Sequence, residues 1–282
     1  MWAEAMFFTP GRHAPPVGES DFLRRGMKDA RVIGGRKIVT WTFGERSGST
    51  VLLAHGWAGR GGQLHAFVPP LVEAGFSALV YDAPAHGASE GTRSSLLEFV
   101  DVIRELGEAR GGFHGVVAHS MGAAAAVLAM SRGLRVGRAV LVGAPADPGV
   151  FFREFLAFLR MPEYLRDRTS RRLERKFAFH WSDFDLERHV AHLDTQALIV
   201  HDRADAEVPF RNGVRLAEAW PSARLFETSG LGHRRVLRDP AVVAHVTSFL
   251  TGRPAGVLPP EISIEAELYE REARRERIFA AV

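Results

Sequence analysis

Four short, almost wholly apolar runs constrain what this chain can become: Val51–Ala54, Ser77–Tyr81, Ala139–Val142 and Ala197–His201. Each is too short for a buried helix and shows no apolar–polar alternation. Each therefore predicts a strand covered on both faces. Between them the apolar residues take helical spacing, as in Leu64, Phe67, Val68, Leu71 and Val72, and again in Leu96, Phe99, Val100, Ile103 and Leu106 within residues 95–109. Residues 114–118 and 224–227 add strands; residues 121–132, 211–219 and 239–250 add helices. Neighbouring parallel strands need a crossover, so this alternation predicts a mostly parallel sheet of about eight strands with helices on both faces. In front of it, Arg31–Ile33, the pair Gly34-Gly35 and Lys37–Phe43 predict an antiparallel hairpin. At 46% hydrophobic over 282 residues, the chain can bury one large core.

Three segments fall outside the rhythm. Residues 1–30, with Pro10, Pro15 and Pro16, predict an irregular N-terminal extension with a short amphipathic piece near Phe22-Leu23. Residues 146–194 contain no strand signal. Phe151, Phe152, Phe155, Leu156, Phe158 and Leu159 form a broad apolar face, and Arg166, Arg168, Arg171, Arg172, Arg175 and Lys176 follow. This predicts a helical cap inserted into a core made of residues 31–145 and 195–251. The arginines face either an anionic substrate or water. Residues 252–282 form a charged tail whose Glu/Arg pairs at helical spacing suit docking on the body or on a partner subunit, as in a homodimer.

Composition removes several classes of function. There is no cysteine, which excludes disulfides, thiolate chemistry and cysteine-ligated zinc or iron–sulfur sites. The formal charge is only +3, and no Lys/Arg run accompanies a recognition motif, so no nucleic-acid partner is expected. Met1–Phe8 lacks the basic start and apolar core of a signal peptide. The longest apolar tract, Gly115–Met130, contains His119 and Ser120 and predicts strand–turn–helix. Cytoplasmic residence without stable membrane insertion is the expectation. His201, Asp202 and Asp205 lack a further histidine to complete a metal set. Gly56–Gly62 carries neither the phosphate-loop Gly-Lys-Ser/Thr nor a dinucleotide fingerprint, so no cofactor is expected.

The chemistry concentrates around Ala118-His119-Ser120-Met121-Gly122, where a serine with small neighbours lies between a predicted strand and a predicted helix. Such a turn exposes a nucleophile. His233, in Ser229-Gly230-Leu231-Gly232-His233, and Asp205, in His201-Asp202-Arg203-Ala204-Asp205, both follow strands. Ligand sites of open parallel sheets gather at such strand ends. His233 would take the Ser120 proton, and Asp205 would hold the imidazole tautomer. Backbone N–H groups of Met121, at a helix start, and Trp57 would meet an oxyanion. Trp57 with Phe151, Phe152 and Phe155 would give an apolar substrate wall. His55 and His86 are expected to brace loops, and His119 to pack beside the turn.

These residues give the chain a specific resemblance. Leu53-Ala54-His55-Gly56-Trp57, Tyr81-Asp82-Ala83-Pro84-Ala85-His86-Gly87-Ala88-Ser89, the Ser120 turn, the Asp205 loop and Gly232-His233 stand in the order found in bacterial esterase- and lipase-like serine hydrolases of the α/β-hydrolase fold. The resemblance extends over about residues 31–250. It implies Ser120 as nucleophile, Asp205 as acid, His233 as base, and Trp57 and Met121 as oxyanion hole, with a small-molecule acyl ester or thioester as substrate and no cofactor. Acyl transfer through the same triad is a variant of this expectation. A non-catalytic interaction or ligand-sensing protein on a hydrolase scaffold is its rival. Three positions depart from the pattern: Ala118 and Ala85 replace glycines, and Asp202 stands where glycine is common.

Overall fold

The structure, a computed structural model, describes residues 2–45 and 48–252. Two short helices come first, α1 (Trp2–Phe7) and α2 (Val17–Arg24), then the hairpin β1 (Met27–Ile33) and β2 (Arg36–Phe43). Next come β3 (Thr50–Ala54), α3 (Val68–Glu73), β4 (Ser77–Tyr81), α4 (Leu96–Glu108), β5 (Phe113–His119), α5 (Met121–Ser131) and β6 (Val136–Val142). A strand-free stretch follows with α6 (Gly149–Phe158), α7 (Glu163–Phe177) and α8 (Leu186–Val190). The alternation resumes with β7 (Gln196–Asp202), α9 (Arg211–Ala219), β8 (Ala223–Thr228), α10 (Gly232–Arg235) and α11 (Pro240–Thr251). Residues 253–282 of the expected charged tail lie outside the described residues.

Among the described residues the strands make one eight-stranded sheet in the order β1-β2-β4-β3-β5-β6-β7-β8. Only β1 with β2 and β2 with β4 pair antiparallel; β4 to β8 run parallel. Successive strand residues supply opposite faces, as strand geometry requires. Leu52 and Ala54 of β3 enter the cluster containing α4 and α5, whereas Val51 and Leu53 enter the cluster containing α3 and α11. Because both faces are covered, the central strands are continuously apolar. Helix α5 is buried from Gly122 to Met130, and its sequence is accordingly apolar all round.

One strand differs from expectation. β1 starts at Met27, not Arg31, within the segment expected to be an irregular extension. It is an edge strand with only Ile33 buried, so Met27–Val32 carries no apolar pattern to betray it. The rest of that extension is a strap. In α1, Phe7 packs on Phe152 and Phe155, at 4.8 and 5.3 Å between ring centroids, and Glu4 pairs with Lys176. The Ser94 N–H then donates to Phe8 O (2.8 Å), and Arg12 donates to the carbonyls of Ala85, Ser89 and Gly91 (3.0 Å each). Finally α2 settles on the core, with Phe22 stacked on Phe43 (4.9 Å) and Glu19 bound to Arg60 (2.5 Å) and Arg238 (3.2 Å). Residues 2–24 thus tie α6 and α7 to the sheet. No helix among the described residues is long and apolar enough to cross a membrane.

Candidate active site

Strand β5 delivers the chain to Ser120, and α5 carries it away. The turn between them has no room for an ordinary conformation. Ser120 adopts φ +53° and ψ −120°, a region that non-glycine residues enter at a cost of about 1–3 kcal/mol. Its N–H donates to Val142 O (2.9 Å), which ties the turn to the end of β6. Two glycines permit the close approach. A Cβ at Gly122 would meet the carbonyls of His55 and Ala54, the latter at 2.7 Å. One at Gly56 would stand 2.9 Å from Ser120 Cβ. The end of β3 therefore lies directly against the serine turn.

The loops after β7 and β8 bring Asp205 and His233 together. His233 Nδ1 lies 2.7 Å from Asp205 Oδ2, and both residues are buried. The other carboxylate oxygen, Oδ1, accepts the N–H groups of Glu207 (2.9 Å) and Val208 (2.8 Å). His201 Nε2 sits 3.5 Å from Asp205 Oδ2 and is 2.8 Å from Val208 O. Burial pushes the Asp205 carboxyl up, but hydrogen bonds from His201, His233 and the Val208 N–H outweigh it and hold the group well below the usual carboxylate range. An ionised Asp205 facing Nδ1 selects the tautomer that leaves Nε2 unprotonated. The pair is joined to the serine turn through His119, whose Nε2 is 2.9 Å from the His233 carbonyl and whose ring lies 4.4 Å from the His233 ring. Burial pushes the His119 imidazole down to about 3, so it is neutral, and its Nε2–H donates to the His233 carbonyl oxygen, which can only accept.

The loop after β3 carries Trp57. Among the described residues its N–H has no hydrogen-bond acceptor. The Met121 N–H is the first of α5, a place where amides lack an intrahelical acceptor. His55 and His86 hold this loop. The Ala83 N–H donates to His55 Nε2 (2.9 Å), and the Ala58 N–H donates to His86 Nε2 (3.1 Å). Burial lowers the two imidazoles to about 4 and about 3, respectively, which keeps their acceptor nitrogens free.

The aromatic residues expected to wall a substrate pocket divide. Trp57 is partly buried against the core cluster of α4 and α5, with its ring 5.2 Å from that of His86. Phe151 is partly buried on α6. Phe152 is fully buried in a separate cluster with Ala3, Leu156 and Leu173, and Phe155 packs on that cluster. Their rings face Phe7, and Phe152 also stacks on Trp181 at 5.0 Å. Phe179 and Trp181 went unnoticed in the sequence, because one lies past the end of α7 and the other opens a single turn. Both are partly buried and pack against the same core cluster as Trp57 and Met121. Asp202, an outlier in the sequence, accepts four hydrogen bonds between the Asp205 and His233 loops. A cavity of about 350 Å³ lies elsewhere, lined by Trp41, Arg60, Asp82 and strap residues, and it contains none of Ser120, Asp205 or His233.

A family model described as the alpha/beta hydrolase family matches residues 51–246. None of the curated proteins matches the sequence. Among solved structures, a predicted CIB-like hydrolase from Thermoplasma acidophilum is 15% identical, with 80% of this chain and 98% of that one covered at a TM-score of 0.62. The Pyrococcus furiosus esterase Pf2001 is 18% identical over 88% of this chain and 98% of its own, TM-score 0.63. A hydrolase from Pseudomonas aeruginosa PA01 is 21% identical over 80% and 98%, TM-score 0.64. At such identities the likeness is one of fold.

Proposed function

The chain belongs to the alpha/beta hydrolase family, and from that premise we propose that it is a serine hydrolase cleaving a carboxylic ester or thioester through an acyl-enzyme on Ser120. The observation that carries this reading is the strained Ser120 turn beside the 2.7 Å His233–Asp205 pair. Ser120 Oγ attacks the acyl carbon while His233 Nε2 takes its proton. Asp205 stays ionised and favours the imidazolium. The N–H groups of Trp57 and Met121 receive the oxyanion. Collapse of the tetrahedral species breaks the bond to the alcohol or thiol, which leaves with the proton from His233. Water then attacks the acyl-enzyme, gives its proton to His233, and releases the carboxylic acid, with the proton returning to Ser120.

In this reading residues 146–194 cap a core of residues 31–145 and 195–251. Trp57, Phe179 and Trp181 favour an apolar acyl group, since full burial of such a group contributes several kcal/mol. The description of one fold neighbour as an esterase agrees with this chemistry.

The test is a panel of p-nitrophenyl esters of graded chain length, assayed on the parent and on Ser120→Ala. The variant is expected to lose about 10⁴-fold or more in kcat. Equal hydrolysis by the two proteins would overturn the proposal.

A further inference from the structure

Asp202 ends β7 with a relative exposure of 1%, and its carboxylate is saturated by donors from three directions. Oδ1 accepts the N–H of Ala204 (2.9 Å), in its own loop, and of Gly232 (2.9 Å). Oδ2 accepts the N–H of Leu231 (3.0 Å) and the hydroxyl of Thr228 (2.7 Å) at the end of β8. Leu231 and Gly232 are the two residues immediately before His233. The main chain adds two bonds in the same place, Asp205 N–H to Asp202 O (3.1 Å) and Arg203 N–H to Thr228 O (2.8 Å). Asp205 and His233 come from loops 28 residues apart, and the carboxylate of Asp202 bridges those loops directly.

Burial raises the tendency of this carboxyl to protonate, but the hydrogen bonds from Gly232, Thr228, Leu231 and Ala204 outweigh it and hold the group below the usual carboxylate range. A buried carboxylate is tolerated only when donors satisfy it. Here the donors are one hydroxyl and three backbone amides, two of them from the loop that carries the base. Glycine, common at this position in the resembling family, cannot make any of these bonds.

We propose that Asp202 is a positioning residue for the reaction: it clamps Leu231-Gly232 to the end of β7 and so fixes His233 against Asp205. It does not touch the imidazole. Its effect is on the geometry of the His233–Asp205 hydrogen bond, where a displacement of about 1 Å can lower a rate by about 100-fold. The inference rests on the serine-hydrolase reading for its kinetic consequence, but the clamp has a signature independent of turnover.

The experiment compares the parent with Asp202→Ala, Asp202→Asn and Thr228→Val, with Glu227→Gln as a control that removes only the charge of the exposed Arg203–Glu227 pair between the loop after β7 and the end of β8. Two quantities are read: kcat and KM on the best ester of the panel, and the downfield proton resonance of His233 Nδ1–H. Asp202→Ala is expected to lower kcat by about 10–100-fold with KM within about twofold, and to broaden or shift the resonance. Asp202→Asn retains an acceptor oxygen and should recover part of both; Thr228→Val loses one donor and should show a smaller change of the same kind. Glu227→Gln should match the parent. A folded Asp202→Ala with parental kcat and an unmoved resonance overturns the clamp. If Asp202→Ala does not fold, parental values in both Asp202→Asn and Thr228→Val overturn it instead. Retained hydrolysis by Ser120→Ala alongside a shifted resonance would refute the serine-hydrolase reading and leave the clamp standing.

Discussion

Ala85 is fully buried at φ +64°, with its N–H donating to Glu90 O (2.8 Å) and its carbonyl held by Arg12. An L-residue pays about 1–2 kcal/mol for that conformation, part of which glycine would return as extra freedom in the unfolded chain. Ala85→Gly relieves that strain but also loses a wholly buried methyl worth about 0.8 kcal/mol, so stability read from the urea midpoint should stay within about 0.5 kcal/mol of the parent's, at unchanged activity. Ala118 has no strain to relieve. It lies in regular register between Ala54 and Leu141, does not share the positive φ, and has its methyl wholly buried. Ala118→Gly loses a packed methyl and stiffens nothing, so a loss of about 1–2 kcal/mol is expected in the same measurement. In the sequence the two alanines are alike, each standing where the resembling family has glycine. Only the backbone angle separates them, and no side-chain pattern encodes it. Asp202 was opaque for a related reason: its four partners lie up to 30 residues away, and three are main-chain groups with no residue signature.

At the level of elements, the covered strands were the easiest to read, because burial on both faces demands unbroken apolar runs such as Val51–Ala54 and Ala197–Val200. Ser120, Asp205 and His233 stood out as candidates because strand-following loops mark the carboxyl edge of a parallel sheet, and all three do follow strands, β5, β7 and β8. β1 was half hidden by its place at the sheet edge. Of the strap only α2 showed, as the amphipathic piece near Phe22-Leu23; α1 was hidden, since it is a six-residue helix whose partners are far along the chain. Its contribution can be measured. Phe7 is partly buried, with its ring 4.8 Å from Phe152 and 5.3 Å from Phe155. Phe7→Ala should remove about 2 kcal/mol of packing, and the loss should be local. Amide hydrogen exchange is expected to speed up in α6 and α7 while α11, which packs in a separate cluster, keeps its protection. Equal acceleration in all three helices would show that α1 supports the whole fold instead of this one corner.

At the scale of the whole molecule, burial holds the imidazoles of His55, His86 and His119 down at about 4, 3 and 3. An exposed imidazole in the unfolded chain titrates near about 6.5. Below that pH the unfolded chain takes up protons that the folded chain refuses, so stability declines as pH falls, by about 1.4 kcal/mol per pH unit for each histidine. The decline ends only near the folded values. Asp205 and Asp202 extend it to lower pH, because carboxylates held below their usual range lend stability that vanishes once acid protonates them. Urea midpoints should therefore drop steeply between about pH 6 and pH 4; a flat profile there would mean that these histidines are charged in the native state. The strap has a consequence of another kind, in time. Glu4 and Lys176 are 172 positions apart, so during translation at about 5–20 residues per second α1 leaves the ribosome about 9–35 s before its partner exists. Phe7 and Phe8 likewise precede by 145 and 169 positions the rings of Phe152 and Phe177 on which they pack. While α1 waits for these partners, its rings offer a nascent-chain chaperone an apolar handle.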